Sequence, residues 1–168
     1  KMILHRCKGI AGIGHTRYST AGARDDYFAS IDEAQPFERR HPRAFKRFAS
    51  CFNGNLANSP DLALEMEKKG YILETEVDTE VLMNLLSLTI KRHSEKSESR
   101  EPVKPDLFEV TREVMSKLDG SYNVLSLFAD GDMLAFRDPW GFHPLVWGEN
   151  EYFYAIASES AALERIGI

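Results

Sequence analysis

The sequence predicts an α+β layered sandwich, and two features of its apolar pattern lead to that class. Segments with helical periodicity are grouped in the middle of the chain, between residues 59 and 120, whereas short β-type runs lie before and after them. Strands and helices do not alternate regularly, which argues against a doubly wound parallel sheet. The 168 residues suffice for one domain, or a large piece of one.

Two apolar runs near residues 9–16 and 45–52 predict strands in the first part of the chain. The segment "SPDLALEMEKKG" then predicts a helix over 59–70. Ser59 suits the N-cap and Pro60 the first helical position. Gly70 suits the stop, because glycine readily adopts the left-handed conformation that follows many helices.

Two further helices are predicted over 78–93 and 106–120, separated by an exposed polar loop over 94–106. The first of them has a wide apolar face that is typical of a buried helix. The inner side of the second is expected to consist of Phe108, Val110, Val114, Met115 and Leu118.

The last third of the chain predicts an antiparallel meander that joins the earlier strands. Turn signals at Asp130-Gly131, in "DPWG" and at Glu149-Asn150 separate its apolar runs, and a short helix is expected after them. The predicted strands cover residues 121–129, 133–137, 144–148 and 152–158.

Composition excludes several classes of protein. The chain has 21 basic and 26 acidic side chains, hence a net charge of -5, which disfavours nucleic acid or an anionic membrane as a partner. No apolar run approaches the roughly 18 residues of a membrane span. Cys7 and Cys51 do not make a disulfide framework, so a reduced, cytoplasmic setting is expected.

Three common kinds of site are not matched. The glycines of "GIAGIGHTRYSTAG" do not fit G-x-G-x-x-G, because Arg17 stands at the third glycine position, and no Walker sequence is present. The five histidines are scattered without metal-ligand spacing, so no metal site is predicted. The serine-hydrolase motif G-x-S-x-G is absent from the sequence.

Three short polar stretches are better candidates for chemistry. Asn53-Gly54 follows an apolar run; it is either a type I′ turn or a pair of donors, one amide side chain and one backbone N–H, aimed at an oxyanion. Asp78 is either a helix N-cap or the partner of an ammonium group. Arg17 offers a planar fork for a carboxylate, so that with Asp78 it would grip both charged groups of an amino acid.

Six sequence blocks over residues 9–168 resemble one family. They are "GIGHTRYSTAG" with "EAQPF", "FNGNLAN", "VDTEVLMNLL", "LDGSYNVLSLF", "AFRDPWGFHPLVWG" and "ASESAALERIG". In this order they resemble the class II glutamine amidotransferase domain of the amidophosphoribosyltransferase and glutamate-synthase-like families. The resemblance implies a four-layer αββα sandwich of the N-terminal-nucleophile hydrolase type, two antiparallel sheets between helices, whose front strands are missing here.

The resemblance also implies an activity: hydrolysis of the glutamine side-chain amide, without a cofactor or metal, and transfer of the ammonia to an acceptor domain or subunit. Asn53 and Gly54 would form the oxyanion hole, Arg17 would hold the α-carboxylate and Asp78 the α-ammonium of glutamine. Tyr18 and Thr20 would belong to a loop, Tyr18–Gly22, that closes over the bound glutamine. The oligomeric state is left open, with a homo-oligomer as one option.

The family nucleophile, a cysteine at the mature N-terminus, is not in this sequence, which starts at Lys1. Cys7 and Cys51 are internal, so neither has the free α-amino group that serves as the base. The segment alone is therefore expected to be inactive. The alternative is a non-catalytic glutamine-binding or scaffolding module that has lost the cysteine; an oxyanion pair, which has no use without a reaction, favours the enzyme.

Overall fold

The computed structural model describes residues 9–16, 34–75, 77–95 and 101–168, and its strands form two antiparallel sheets. The larger sheet has the order β1-β2-β3-β4, and the smaller one pairs β5 with β6. The strands are β1 (Phe37–Arg39), β2 (Phe48–Leu56), β3 (Gly120–Phe128), β4 (Met133–Arg137), β5 (Val146–Glu149) and β6 (Tyr154–Ala157). The helices are α1 (Ser59–Lys68), α2 (Asp78–Glu95), α3 (Leu107–Met115) and α4 (Ser160–Glu164). The predicted α+β class with two antiparallel sheets is confirmed.

Helix α1 lies where the sequence predicts it, but its N-cap is a different residue from the predicted one. Asn58 is the N-cap, so Ser59 is the first helical residue rather than the cap. At the other end Gly70 has a φ of +84°, and the N–H of Tyr71 donates to the carbonyl of Met66 at 3.1 Å. This pattern is the Schellman motif, in which a left-handed glycine lets the chain turn back and satisfy a terminal carbonyl.

Helix α3 buries one stripe of its surface against the core. Val110 and Val114 are fully buried and lie one helical turn apart. Phe108 is 82% exposed, so its assignment to the inner side is wrong. It lies two residues from Val110, about 200° around the helix, and therefore on the opposite side. Asp106 caps the helix by accepting a hydrogen bond from the N–H of Phe108 at 2.8 Å.

The larger sheet has one face under the helices and one face away from them. Because side chains alternate along a strand, the even-numbered residues of β2 share one face, and Phe48, Phe52 and Leu56 belong to the buried core together with α2. The odd-numbered residues, among them Cys51 and Asn53, lie on the opposite face. On β3 that second face carries Leu125 and Leu127, both half-buried. Strand β3 is thus apolar on both faces.

The smaller sheet carries α4 and several exposed aromatic side chains. Leu163 of α4 is buried, and a Cβ added at Gly148 of β5 would lie 2.2 Å from Ile168. In contrast, Trp147 is 70% exposed and Tyr154 is 79% exposed. The smaller sheet is therefore covered less completely than the larger one within the described residues.

Three strand predictions differ from the structure. The predicted meander that joins the earlier strands is present only in part, since β3 and β4 belong to the sheet of β2 whereas β5 and β6 form a sheet of their own. Residues 9–16 form no strand, so that prediction is wrong; three glycines, at positions 9, 12 and 14, weaken the β-preference of this segment. Strand β1 was not predicted, because three residues between Pro36 and Pro42 are too few to show a periodic pattern.

The polar segment between α2 and α3 is described only in part. Helix α2 continues to Glu95 and residues 96–100 lie outside the described residues, so the exposed loop over 94–106 stays a prediction. Lys104 forms ion pairs with Asp130 at 2.7 Å and Asp132 at 2.6 Å, which join this segment to the turn between β3 and β4.

Candidate active site

In the part of the chain that the structure describes, one edge of β2 is open beyond the short strand β1. Strand β1 pairs only with Phe48–Ser50, whereas β3 pairs with β2 along its whole length, from Phe48 to Leu56. Among the described residues, those of β2 after Ser50 therefore have a strand partner on one side only. Backbone N–H groups alternate between the two edges of a strand, so every second N–H in this part points to the open edge.

Two of the open-edge N–H groups of β2 are bound by side chains. The N–H of Phe52 donates to Oε1 of Gln35 at 2.5 Å, and the N–H of Leu56 donates to Oδ2 of Asp78 at 2.7 Å. Gly54 lies midway between them and has the same parity, so its N–H points to the same edge. Within the described residues, no group accepts a hydrogen bond from it. One free donor thus stands between two satisfied ones.

The backbone around Gly54 excludes any side chain. Gly54 has a φ of +153°, and a Cβ there would lie 2.0 Å from the carbonyl oxygen of Ser121 and 2.7 Å from Cα of Tyr122. Gly120 makes the matching approach on β3, where a Cβ would lie 2.2 Å from the carbonyl oxygen of Asn55. The interpretation of Asn53-Gly54 as a type I′ turn is wrong, since both residues are paired within β2.

Asn53 adds a side-chain amide beside the free N–H. Its side chain lies on the face of the sheet away from the helices and is exposed. No hydrogen bond to it occurs within the described parts of the chain. The amide of Asn53 and the N–H of Gly54 thus offer two donors close together at the open edge of β2, as stabilisation of an oxyanion requires.

Asp78 brings the start of α2 to the end of β2. Its carboxylate binds across to the N–H of Leu56, two residues beyond Gly54 and about 7 Å along the strand. Asp78 is the first residue of α2, where a negative charge is favoured by the helix dipole. The structure therefore places Asp78 beside the strand that carries Asn53 and Gly54, and its role toward an ammonium group stays a prediction. Arg17, Tyr18 and Thr20 lie outside the described residues.

Asp138 stabilises the same region. The sequence predicts it only as a turn residue. It is 2% exposed and accepts hydrogen bonds from the N–H groups of Trp140 at 2.9 Å and Tyr122 at 3.3 Å. Burial acts to raise the pKa of Asp138, but the backbone N–H groups around it outweigh burial and hold that pKa below its ordinary value. Because Tyr122 is the cross-strand partner of Gly54, this carboxylate fixes the strand against which Gly54 packs.

Asn123 is a second polar residue that sequence reasoning missed. It is the cross-strand partner of Asn53, is only 3% exposed, and donates through Nδ2 to the carbonyl of Pro144 at 2.7 Å. Within an otherwise apolar strand, "SYNVLSLF", a lone asparagine is a signal that could have drawn attention to this position.

Cys51 is not a reactive thiol. It is buried in β2 at 5% exposure, and burial raises its pKa to about 11. The thiolate, which is the nucleophilic form, is therefore scarce at neutral pH. Cys51 is thus a buried residue of β2, whereas Cys7 lies outside the described residues.

Two cavities are separate from this edge. One of about 480 Å³ lies between α1, α2 and α3 and is lined by residues such as Leu62, Leu88 and Lys117. The other, of about 440 Å³, is lined by Arg40, His41, Pro42 and Arg47. In the described ranges, no group of three or more His, Cys, Asp or Glu residues is placed to hold a metal ion. No helix there is both long and apolar enough to cross a membrane.

Comparison with known protein families identifies the family of this chain. A model of the glutamine amidotransferase domain matches residues 23–165, which is most of the chain. The chain belongs to the glutamine amidotransferase domain family. It is 37% identical to an amidophosphoribosyltransferase of Methanocaldococcus jannaschii, covering 92% of this chain, and 35% identical to one of Escherichia coli, covering 98%.

Solved structures agree with the assignment to the glutamine amidotransferase domain. The glutamine phosphoribosylpyrophosphate amidotransferase of B. subtilis, complexed with ADP and GMP, superposes with a TM-score of 0.68 at 28% identity over 91% of this chain. An allosteric regulatory enzyme of purine biosynthesis gives 0.69 at 30% identity, again over 91%. These neighbours have the N-terminal-nucleophile hydrolase fold of the class II family. The chain spans 29% of the length of the M. jannaschii relative and 31% of the E. coli one.

Proposed function

We propose that this glutamine amidotransferase domain hydrolyses the side-chain amide of glutamine and delivers the ammonia to an acceptor in a partner domain or subunit. The observation that carries the proposal is the N–H of Gly54, which has no acceptor within the described residues and lies between two occupied N–H groups at the open edge of β2. The exposed amide of Asn53 lies beside it. Two donors at one exposed point suit the charge that develops when an amide carbonyl is attacked.

The proposed reaction begins when a general base, for which the resemblance implies the α-amino group of the nucleophilic cysteine, takes the proton of the thiol. The resulting thiolate adds to the side-chain carbonyl carbon of glutamine. The carbonyl electron pair moves to the oxygen, and the resulting oxyanion accepts hydrogen bonds from Asn53 Nδ2 and the N–H of Gly54. Collapse of this intermediate breaks the C–N bond; the leaving nitrogen takes a proton from the general base and departs as ammonia, after which water hydrolyses the thioester to glutamate. Cys51 is buried and is not proposed as the source of this thiol.

The same edge supports a proposal for how the amino-acid end of glutamine is held. Oδ2 of Asp78 is occupied by the N–H of Leu56, which leaves Oδ1 for the α-ammonium group. About 7 Å of strand separates that N–H from the N–H of Gly54, a span suited to the two ends of one glutamine. Arg17 is proposed to bind the α-carboxylate, and Tyr18 and Thr20 to belong to the loop that closes over the substrate.

Kinetics of the full-length protein test the oxyanion assignment. Asn53→Ala is expected to lower kcat for glutamine hydrolysis by about 10²–10³ with little change in KM, because the lost donor acts on the transition state. Asn55→Ala is the matched control, since Asn55 is an exposed asparagine on the same strand and the same face. Arg17→Lys is expected to raise KM instead, because an ammonium does not reproduce the bidentate fork.

Two other outcomes of these measurements would point away from the proposal. If the full-length protein binds glutamine but does not hydrolyse it, the domain is a non-catalytic binding module. If it hydrolyses glutamine and Asn53→Ala leaves kcat unchanged, the reaction is retained but the oxyanion assignment is wrong.

A further inference from the structure

Asn123 has a fixed amide orientation and an unsatisfied oxygen. Its Nδ2 donates to the carbonyl oxygen of Pro144 at 2.7 Å, and only the NH₂ side of an amide can donate to a carbonyl. Oδ1 must therefore point the other way. This oxygen is buried and has no hydrogen-bond partner within the described residues. A buried acceptor without a donor costs free energy, so the position calls for a donor.

Two side chains on neighbouring strands flank Asn123 on the same face of the sheet. Asn53 is its partner on β2, and Arg137 is its partner on β4. The guanidinium of Arg137 packs on the turn after β4, where a Cβ added at Gly141 would lie 3.3 Å from Cζ of Arg137. The amide of Asn53 is exposed and has no bonded partner among the described residues. Asn53 is therefore the better-placed donor.

The geometry of a paired strand brings the two amides within reach. Directly opposite residues of antiparallel strands have Cβ atoms about 4.5–5.5 Å apart, so rotation of the Asn53 side chain brings its Nδ2 to Oδ1 of Asn123. The amide of Asn53 has two N–H groups, and one of them remains available after this bond forms.

We propose that Asn123 is a positioning residue for the oxyanion hole. Its Oδ1 accepts one N–H of the Asn53 amide when glutamine is bound, and the other N–H is thereby directed at the developing oxyanion. Without that acceptor, the side-chain amide of Asn53 can flip and present its oxygen, instead of an N–H, to the negative charge. This inference rests on the proposed glutaminase function and adds a residue that acts through Asn53 rather than on the substrate.

Two substitutions in the full-length protein separate positioning from mere support of the Pro144 segment. Asn123→Leu removes both the donor and the acceptor and is expected to lower kcat about 10-fold, less than loss of the oxyanion donor itself, with KM nearly unchanged. Asn123→Asp keeps an acceptor oxygen facing Asn53 but loses the donor to the Pro144 carbonyl, so it is expected to retain more of kcat than Asn123→Leu while it also loses stability. If Asn123 served only to hold Pro144, KM and stability would change without a selective loss of kcat.

A double-mutant cycle gives the decisive result. In the Asn53→Ala background, Asn123→Leu is expected to cause no further loss of kcat, because the residue through which it acts is gone. An equal loss in both backgrounds would overturn the proposal. Asn84→Ala is the control, since Asn84 is another buried asparagine with a hydrogen bond to Arg39 at 3.2 Å, and it should leave kcat unchanged.

Hydrogen exchange, followed by NMR, tests the inference without measuring turnover. In the glutamine-bound full-length protein, the Asn53 side-chain NH₂ signals, assigned through Asn53→Ala, should show slowed hydrogen exchange that is lost in Asn123→Leu. Unchanged exchange in Asn123→Leu would refute the contact. Absence of hydrolysis in the unsubstituted protein, with this exchange effect present, would refute only the glutaminase function.

Discussion

Gly54 is the residue at which one added methyl group has the largest expected effect. A Cβ there would lie 2.0 Å from the Ser121 carbonyl oxygen, and the φ of +153° is one that L-residues rarely adopt. Gly54→Ala is expected to lower the free energy of unfolding by roughly 2–4 kcal/mol, because β2 and β3 must separate to admit the methyl group.

Chemical denaturation measures this loss, and Gly131→Ala serves as its control. Gly131 also has a positive φ, but nothing lies within 4 Å of a Cβ added there, so its cost comes from the backbone conformation alone. Equal losses for the two variants would show that the close approach of β2 and β3 at Gly54 is not important for stability.

At the residue scale, the sequence indicates candidate site residues where their chemistry is local. Asn53, Gly54 and Asp78 stand out because each belongs to a short, distinctive stretch. The structure places the three at one edge of β2, and their roles in a site stay predictions. Asn123 was missed because its importance depends on the strand opposite it, a relationship between residues 70 positions apart.

At the scale of elements, the turn after β4 is organised by the carboxylate of Asp138. This buried group accepts hydrogen bonds from backbone N–H groups in the turn and from Tyr122 on β3. Asp138→Ala is expected to destabilise the protein by about 2–4 kcal/mol, because several buried donors lose their acceptor together. Chemical denaturation at neutral pH measures the difference.

The same carboxylate gives the stability a predictable pH dependence. The pKa of Asp138 is lower in the folded protein than its ordinary value of 3.8, so its stabilising contribution is complete well above that pH. The contribution is lost as the pH falls below 3.8 toward the folded pKa. The stability difference between the unsubstituted protein and Asp138→Ala should therefore be constant near neutrality and shrink in acid. A difference that grows on acidification would contradict this assignment.

Element prediction was most reliable for long periodic segments. Helices α1 and α2 and strands β3 and β4 lie where the apolar pattern placed them, since each has enough residues to show its period. Strand β1 has three residues and depends on pairing with β2, so no local sequence pattern predicts it. Phe108 was misassigned because an apolar residue at the start of a helix fits more than one face.

At the scale of the whole molecule, the described part of the chain offers no suitable nucleophile for the proposed oxyanion site. Cys51 is buried with a pKa of about 11, and the described part of the chain has no other cysteine. The 168-residue chain alone is therefore expected to release no ammonia from glutamine. A coupled assay for ammonia checks this against the full-length protein, and substantial release by the short chain would show that a residue within it serves as the nucleophile.

The location of bound glutamine tests the central claim most directly. In a crystal structure of the full-length protein with glutamine or glutamate, the side-chain carbonyl oxygen is expected about 2.7–3.1 Å from both Asn53 Nδ2 and the N of Gly54. The α-ammonium should lie against Oδ1 of Asp78, with the α-carboxylate at Arg17. A ligand bound instead in the cavity between α1, α2 and α3, or a Gly54 N–H occupied by another protein group, would contradict the account.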